Sequence, residues 1–147
     1  MRLLLVTGIF TLSAFTMNAQ KKEHSNIFTT IKKGIASFYH DKFEGRKTAT
    51  GEVFDNNKFT AASNSLKLNT YVKVTNLSNG QVIYVRVNDR MSKDNERLID
   101  LASIAAKRLN FHAKGITNVK VEAVTEEEGR NAILAQNELT STGQNKL

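Results

Sequence analysis

Residues 71–88 alternate with a period of two on both sides of a single turn signal, and that pattern decides the fold class. In 71–76, Val72 and Val74 fall on one side and Tyr71, Lys73 and Thr75 on the other. Ser78-Asn79-Gly80 follows. Asn-Gly accepts the positive φ angles of a type I′ turn, so Asn79 and Gly80 are structural turn residues of a predicted hairpin. Residues 81–88 form the returning strand, with Ile83, Val85 and Val87 sharing a face and Asp89 closing the same register. Period two on both arms excludes an amphipathic helix here and sets an aspartate at the end of a buried strand.

The rest of the chain adds short β-type runs and one short helix. Residues 32–39 read as a first strand with Ile35, Ser37 and Tyr39 on one face, and 59–62 and 119–124 read as two more. Residues 41–57 are rich in charge, Gly and Thr and read as a long functional loop. Residues 103–109 read as a helix, with Ser103 able to cap it and Asn110 able to end it in the left-handed conformation. From residue 125 the chain is rich in Glu, Asn, Gln and Thr, and 125–147 is expected to be a polar tail with room for a short helix through 132–139. Several short strands, one helix and long loops suit a small closed barrel.

The first residues read as a secretory signal: Arg2 gives a short positive start, residues 3–15 are apolar, and Ala19 suits the cleavage position. The apolar run is shorter than the ~20 residues that span a bilayer. Residues 1–19 are thus an expected signal peptide, 20–31 a polar leader and 32–124 the domain. An exported chain would work in the periplasm or outside the cell, with no stable membrane anchor and, lacking cysteine, no lipid attachment.

The chain of 147 residues carries a formal net charge of +7, which favours an anionic partner: nucleic acid, acidic lipid or acidic polysaccharide. The basic residues form no single run, aromatics are sparse and no nucleic-acid motif is present, so nucleic acid is not the expected partner. The absence of cysteine excludes disulfides, thiol catalysis and cysteine-ligated zinc. His24, His40 and His112 lie in unrelated segments without ligand spacing, so no metal and no cofactor is expected. No nucleophile elbow and no phosphate-binding glycine loop is present.

Five segments occur in order: GIASFYH from Gly34, GRKTATGE from Gly45, TAASNSL from Thr60, VRVNDR from Val85 and LIDLA from Leu98. Together they resemble the rare lipoprotein A family of septal lytic transglycosylases, over residues 33–124. The resemblance implies a mainly β fold, a small six-stranded double-psi β-barrel with one or two short helices. It also implies endolytic cleavage of peptidoglycan glycan strands between N-acetylmuramic acid and N-acetylglucosamine with a 1,6-anhydro product and a preference for strands without stem peptides; a monomer is expected. A non-catalytic, expansin-like glycan-binding module is the alternative. From the length, no separate peptidoglycan-binding repeat of the kind some relatives carry is expected.

Asp89, in Val87-Asn88-Asp89-Arg90, matches the family's catalytic aspartate segment. Glycosidic cleavage needs a proton at the leaving oxygen as oxocarbenium character develops, and a carboxylic acid can deliver it. Local sequence alone also allows a turn aspartate paired with Arg86 or Arg90. Glu52, after Thr50-Gly51, matches a catalytic or substrate-binding carboxylate. Ser63 stands where the family commonly has a histidine; it keeps a hydroxyl for sugar but loses the imidazole. Tyr39 is a candidate stacking platform or a core residue. Arg46, Arg86 and Arg90 are candidate contacts to a lactyl carboxylate. Asp100 matches a further family segment and is expected to be structural, accepting backbone N–H bonds just before the helix.

Overall fold

A computed structural model describes residues 30–144. The expected signal peptide and nearly all of the polar leader lie outside the described residues. Six strands close into a barrel: β1 (Ile31–Phe38), β2 (Thr60–Ala62), β3 (Tyr71–Asn76), β4 (Val82–Asp89), β5 (Ile99–Leu101) and β6 (Thr117–Val124). Their order around the barrel is β1-β5-β2-β4-β3-β6. The β1–β5 and β2–β4 pairs are parallel, and all others, including the closing β1–β6 pair, are antiparallel. This is the six-stranded, mainly β barrel that the family resemblance implies, with one short helix, α1 (Ser103–Arg108), and one longer helix, α2 (Glu126–Gln144).

The interior is filled by alternate residues of these strands. Val72, Val74, Val85, Val87, Ile99, Leu101, Val119 and Val121 are fully buried, and Ala105 and Ala106 of α1, with Leu109 just past its end, join the same core. Each such Val, Ile or Leu side chain stabilises the fold by about 1.5–3 kcal/mol relative to its exposed state. β3 alternates as the sequence predicts, down to Asn76, which is buried but satisfied: its Nδ2 donates to Leu109 O, and its Oδ1 accepts from Ser78 N and Thr117 Oγ1, all at 2.9 Å.

Three expectations change, and β1, whose faces the sequence leaves unassigned, acquires an inward side: Ala36 is buried, whereas Ile35 is 44% exposed. Packing space is the reason: Ala36 is opposite Ile99 and Thr117, and a Cβ at Gly34 would lie 2.8 Å from Leu98 Cβ, so small residues face the crowded side. The hairpin turn is not type I′, because only Gly80 has positive φ (+75°) and Asn76 O accepts from Gly80 N at 2.8 Å. Asn79 keeps a structural role by a different route, donating from Nδ2 to Leu109 O at 3.0 Å. Asp100 and Ser103 do not cap α1. The cap is Ala102, and Asn56 supplies the acceptors, Oδ1 to Ser103 N and its carbonyl to Ile104 N. Asp100 sits inside β5 and instead grips Arg97 through both oxygens, at 2.7 and 2.9 Å.

The third change is the tail. Residues 126–144 are one helix, α2, docked on β3 and β4. Thr125 Oγ1 accepts from Glu128 N at 3.1 Å, and Glu126, Glu127 and Glu128 fill the first turn, where the helix dipole favours anions. Gln136 donates to Tyr84 O (2.9 Å) and accepts from Tyr84 N (2.7 Å). Those β4 groups lie beyond the reach of β2, which pairs with β4 only from Arg86 onward. At Gly129 an added Cβ would lie 2.3 Å from Tyr71 Cβ, so only glycine lets the helix approach this closely.

Candidate active site

The site forms where a folded loop meets the end of β4. The stretch read as a long loop doubles back on itself. Phe54 N donates to Arg46 O at 2.8 Å, Lys47 bridges Val53, and Thr48 N donates to Glu52 O at 2.8 Å. The tip of this narrow hairpin lies against β4 through Ala49 N to Asp89 Oδ1 (2.8 Å) and Thr50 N to Asn88 O (3.2 Å).

A bulge prepares the other side. β2 pairs Ala61 with Val87 and then Ala62 with Asp89, leaving Asn88 as the extra residue. Bulges re-aim side chains at strand ends. Here Asn88 is buried and Asp89 stays half-exposed, so the inward register expected for Asp89 is broken one residue before it.

Three donors orient Asp89. Oδ1 accepts from Ala49 N and Arg90 N, both at 2.8 Å, and Oδ2 accepts from Tyr39 OH at 2.8 Å. Tyr39 is held by Phe54 and Phe43, with ring centroids 4.4 and 5.8 Å away. Burial first, then the Asp89 carboxylate, push the Tyr39 phenol far above its usual value, so it remains a proton-bearing donor. Its ring is packed against its neighbours, and its polar end serves Asp89.

Glu52 is held by charge. Arg86 donates to Oε1 at 2.8 Å and to Oε2 at 2.5 Å, and Thr50 Oγ1 donates to Oε1 at 2.8 Å. The Arg86 hydrogen bonds are the main cause that lowers the Glu52 carboxyl to about 2. Arg86 is itself fixed by Asn69 Oδ1 at 2.9 Å, and Asn69 adopts a left-handed φ of 65°. The structure thus brings Glu52 and Asp89 to the two sides of one hairpin tip. One carboxylate is a fixed anion; the other is aimed by neutral donors.

The remaining expected contacts divide. Ser63 is fully buried, and its hydroxyl donates to Leu98 O at 2.8 Å, so it is committed to the backbone and not open to a sugar. Arg90 turns inward to Ser63 O and Leu66 O, and Arg86 is occupied by Glu52. Arg46 is exposed, 5.2 Å above the Phe43 ring. A groove of about 410 Å³ is lined among others by Tyr39, Lys42, Phe43, Arg90 and Asp100; Tyr39 and Arg90 both donate to Asp89, which is not itself in the lining. Sequence reasoning missed Thr50 and Asn69. Thr50 is two residues from Glu52 in a hairpin tip, which a loop reading hides. Asn69, in Leu68-Asn69-Thr70, carried the turn signal of an Asn between two strands.

The profile of the family described as lytic transglycolase matches residues 31–121. The endolytic peptidoglycan transglycosylase RlpA of Haemophilus influenzae is 49% identical over 94 residues, 64% of this chain and 33% of that protein. RlpA of Neisseria meningitidis serogroup A is 44% identical over 104 residues, 71% of this chain and 43% of that protein. The chain therefore spans about a third to less than half of these relatives. Among solved structures, the Streptomyces papain inhibitor superposes with a TM-score of 0.53 at 23% identity, covering 65% of this chain and 96% of that one. A Clavibacter michiganensis expansin gives 0.51 at 20% identity, covering 66% and 52%. The last two share the fold.

Proposed function

The chain belongs to the lytic transglycolase family, and from that membership we propose that it is an endolytic peptidoglycan lytic transglycosylase. It would cleave between N-acetylmuramic acid and N-acetylglucosamine and leave a 1,6-anhydro end, on strands free of stem peptides. The observation that carries the reading is the separation of roles between Asp89 and Glu52. Arg86 keeps Glu52 ionised throughout the neutral range, so Glu52 is the electrostatic partner of the oxocarbenium-like carbon and not the acid. Asp89 is the proton-transfer group. Its carboxyl gives a proton to the glycosidic oxygen as the C1–O bond breaks. The 6-hydroxyl of the muramyl residue then bonds to C1 and its proton returns to Asp89, so no water is consumed. Tyr39 and the Ala49 and Arg90 amides hold the carboxylate in place during both transfers.

On the same reading the protein is a monomer, residues 1–19 direct export, and catalysis takes place beyond the cytoplasmic membrane. Digestion of naked peptidoglycan strands followed by mass spectrometry of the ends tests the reaction. Anhydro ends are expected. Reducing ends would make it a hydrolase, and retention without cleavage would make it a glycan-binding module.

A further inference from the structure

α2 forms one wall of a second groove, about 330 Å³, against the outside of the barrel. Phe59, Thr60 and Tyr71 belong to the barrel side, and Arg130, Ile133 and Leu134 to the helix. Lys58 and Arg86 complete the lining with Asn137, so three cations and no acid line it. The volume is that of a small-ligand site. The groove is anchored at Arg86, the guanidinium that holds Glu52. Arg86 is thus shared between this groove and the Glu52 side of the hairpin tip.

Two of the cations are available to a ligand. Arg130 pairs with Glu126 one turn away, at 2.7 Å, but both side chains are about two-thirds exposed, 64% and 66%. Such pairs contribute little and exchange readily. Lys58 is exposed, and among the described residues it makes no ion pair. Tyr71, Ile133 and Leu134 add apolar surface between these charges. A ligand that fits has an apolar ring face or methyl groups together with a carboxylate. A muramyl residue without its peptide has both: N-acetyl and lactyl methyls, and a free lactyl carboxylate.

We propose that the groove between α2 and the barrel is a carboxylate-selective glycan subsite, in which Lys58 and Arg130 receive the lactyl carboxylate of a muramyl residue. The subsite rests on the lyase reading for its substrate, but it lies outside the residues 31–121 that match the family profile insofar as α2 builds it. It would let this chain grade strands by whether the lactyl group is free or amide-linked.

The experiment compares naked peptidoglycan strands with the same strands after carbodiimide conversion of their lactyl carboxylates to methylamides. Retention is measured by fluorescence anisotropy in the Asp89→Asn protein, and kcat and KM in the otherwise unchanged chain. Lys58→Ala and Arg130→Ala should each weaken binding of the free-carboxylate strands roughly 3- to 10-fold, through KM and not kcat. Binding of the methylamide strands should not change. Arg130→Lys should restore most of the loss, and circular dichroism should show α2 intact. Equal losses on both strand types, or no loss on either, would overturn the subsite. If the wild type cleaves nothing yet the selective loss in binding appears, the subsite stands and the lyase reading falls.

Discussion

Glu52 and Asp89 are the same kind of acid, but Arg86 touches one and Tyr39 the other. Asp89→Asn keeps size and removes the transferable proton, so turnover on naked strands should fall by ~10²-fold or more, with the melting temperature retained. An active Asp89→Asn protein would move proton transfer to another group. Arg86→Gln tests Glu52. The depressed carboxyl means that the Glu52–Arg86 pair is complete above the ordinary glutamate value of 4.5 and is lost as pH falls toward about 2. Without the guanidinium, Glu52 should take up its proton nearer 4.5, so the acid limb of kcat/KM should move up in pH; an unmoved limb would separate Glu52 from catalysis. Ser63→Ala should cost about 1 kcal/mol in denaturant unfolding, the worth of its bond to Leu98 O, and leave KM for glycan unchanged. The two carboxylates were legible in the sequence because each sits in a motif. Their donors were not. Tyr39 looks like a stacking ring until its hydroxyl is placed, and the buried hydroxyl of Ser63 depends on strand pairing that no local pattern encodes.

At the scale of elements, β3 and β4 were readable from alternation alone, since a strand buried on one face must alternate. β5 was not, because three residues carry too little periodicity. α2 carries a start signal of its own: Thr125-x-x-Glu128 has capping-box spacing, and Thr125 Oγ1 accepts from Glu128 N. Its buried stripe is poor in large apolar residues, and the helix is held largely by the Gln136 amide on Tyr84 and by contact at Gly129, which hydropathy does not register. Gly129→Val should therefore push α2 off Tyr71. Thermal and denaturant unfolding should show a loss of about 1–3 kcal/mol, the range for overpacking a close contact. An unchanged transition midpoint would mean that α2 contributes nothing to the fold. The same variant should widen the second groove and weaken retention of naked strands.

For the whole molecule, the net charge of +7 predicts that affinity for the proposed acidic glycan strand depends on salt. Raising salt from about 0.05 to about 0.5 M should weaken retention of naked peptidoglycan strands and leave neutral chitin oligomers nearly unaffected. Equal behaviour of the two would assign binding to uncharged contacts. Closure of the barrel has a different consequence, in time. β1 is the first strand to leave a ribosome or a translocation pore, yet its two neighbours are β5 and β6, with Ile31 opposite Glu122. A chain that emerges from its N-terminus cannot complete its first strand until nearly the whole domain has followed. Pairings this remote in sequence form late and slowly. The barrel thus carries its own delay: β1 waits unpaired until the residues of β5 and β6 have been made.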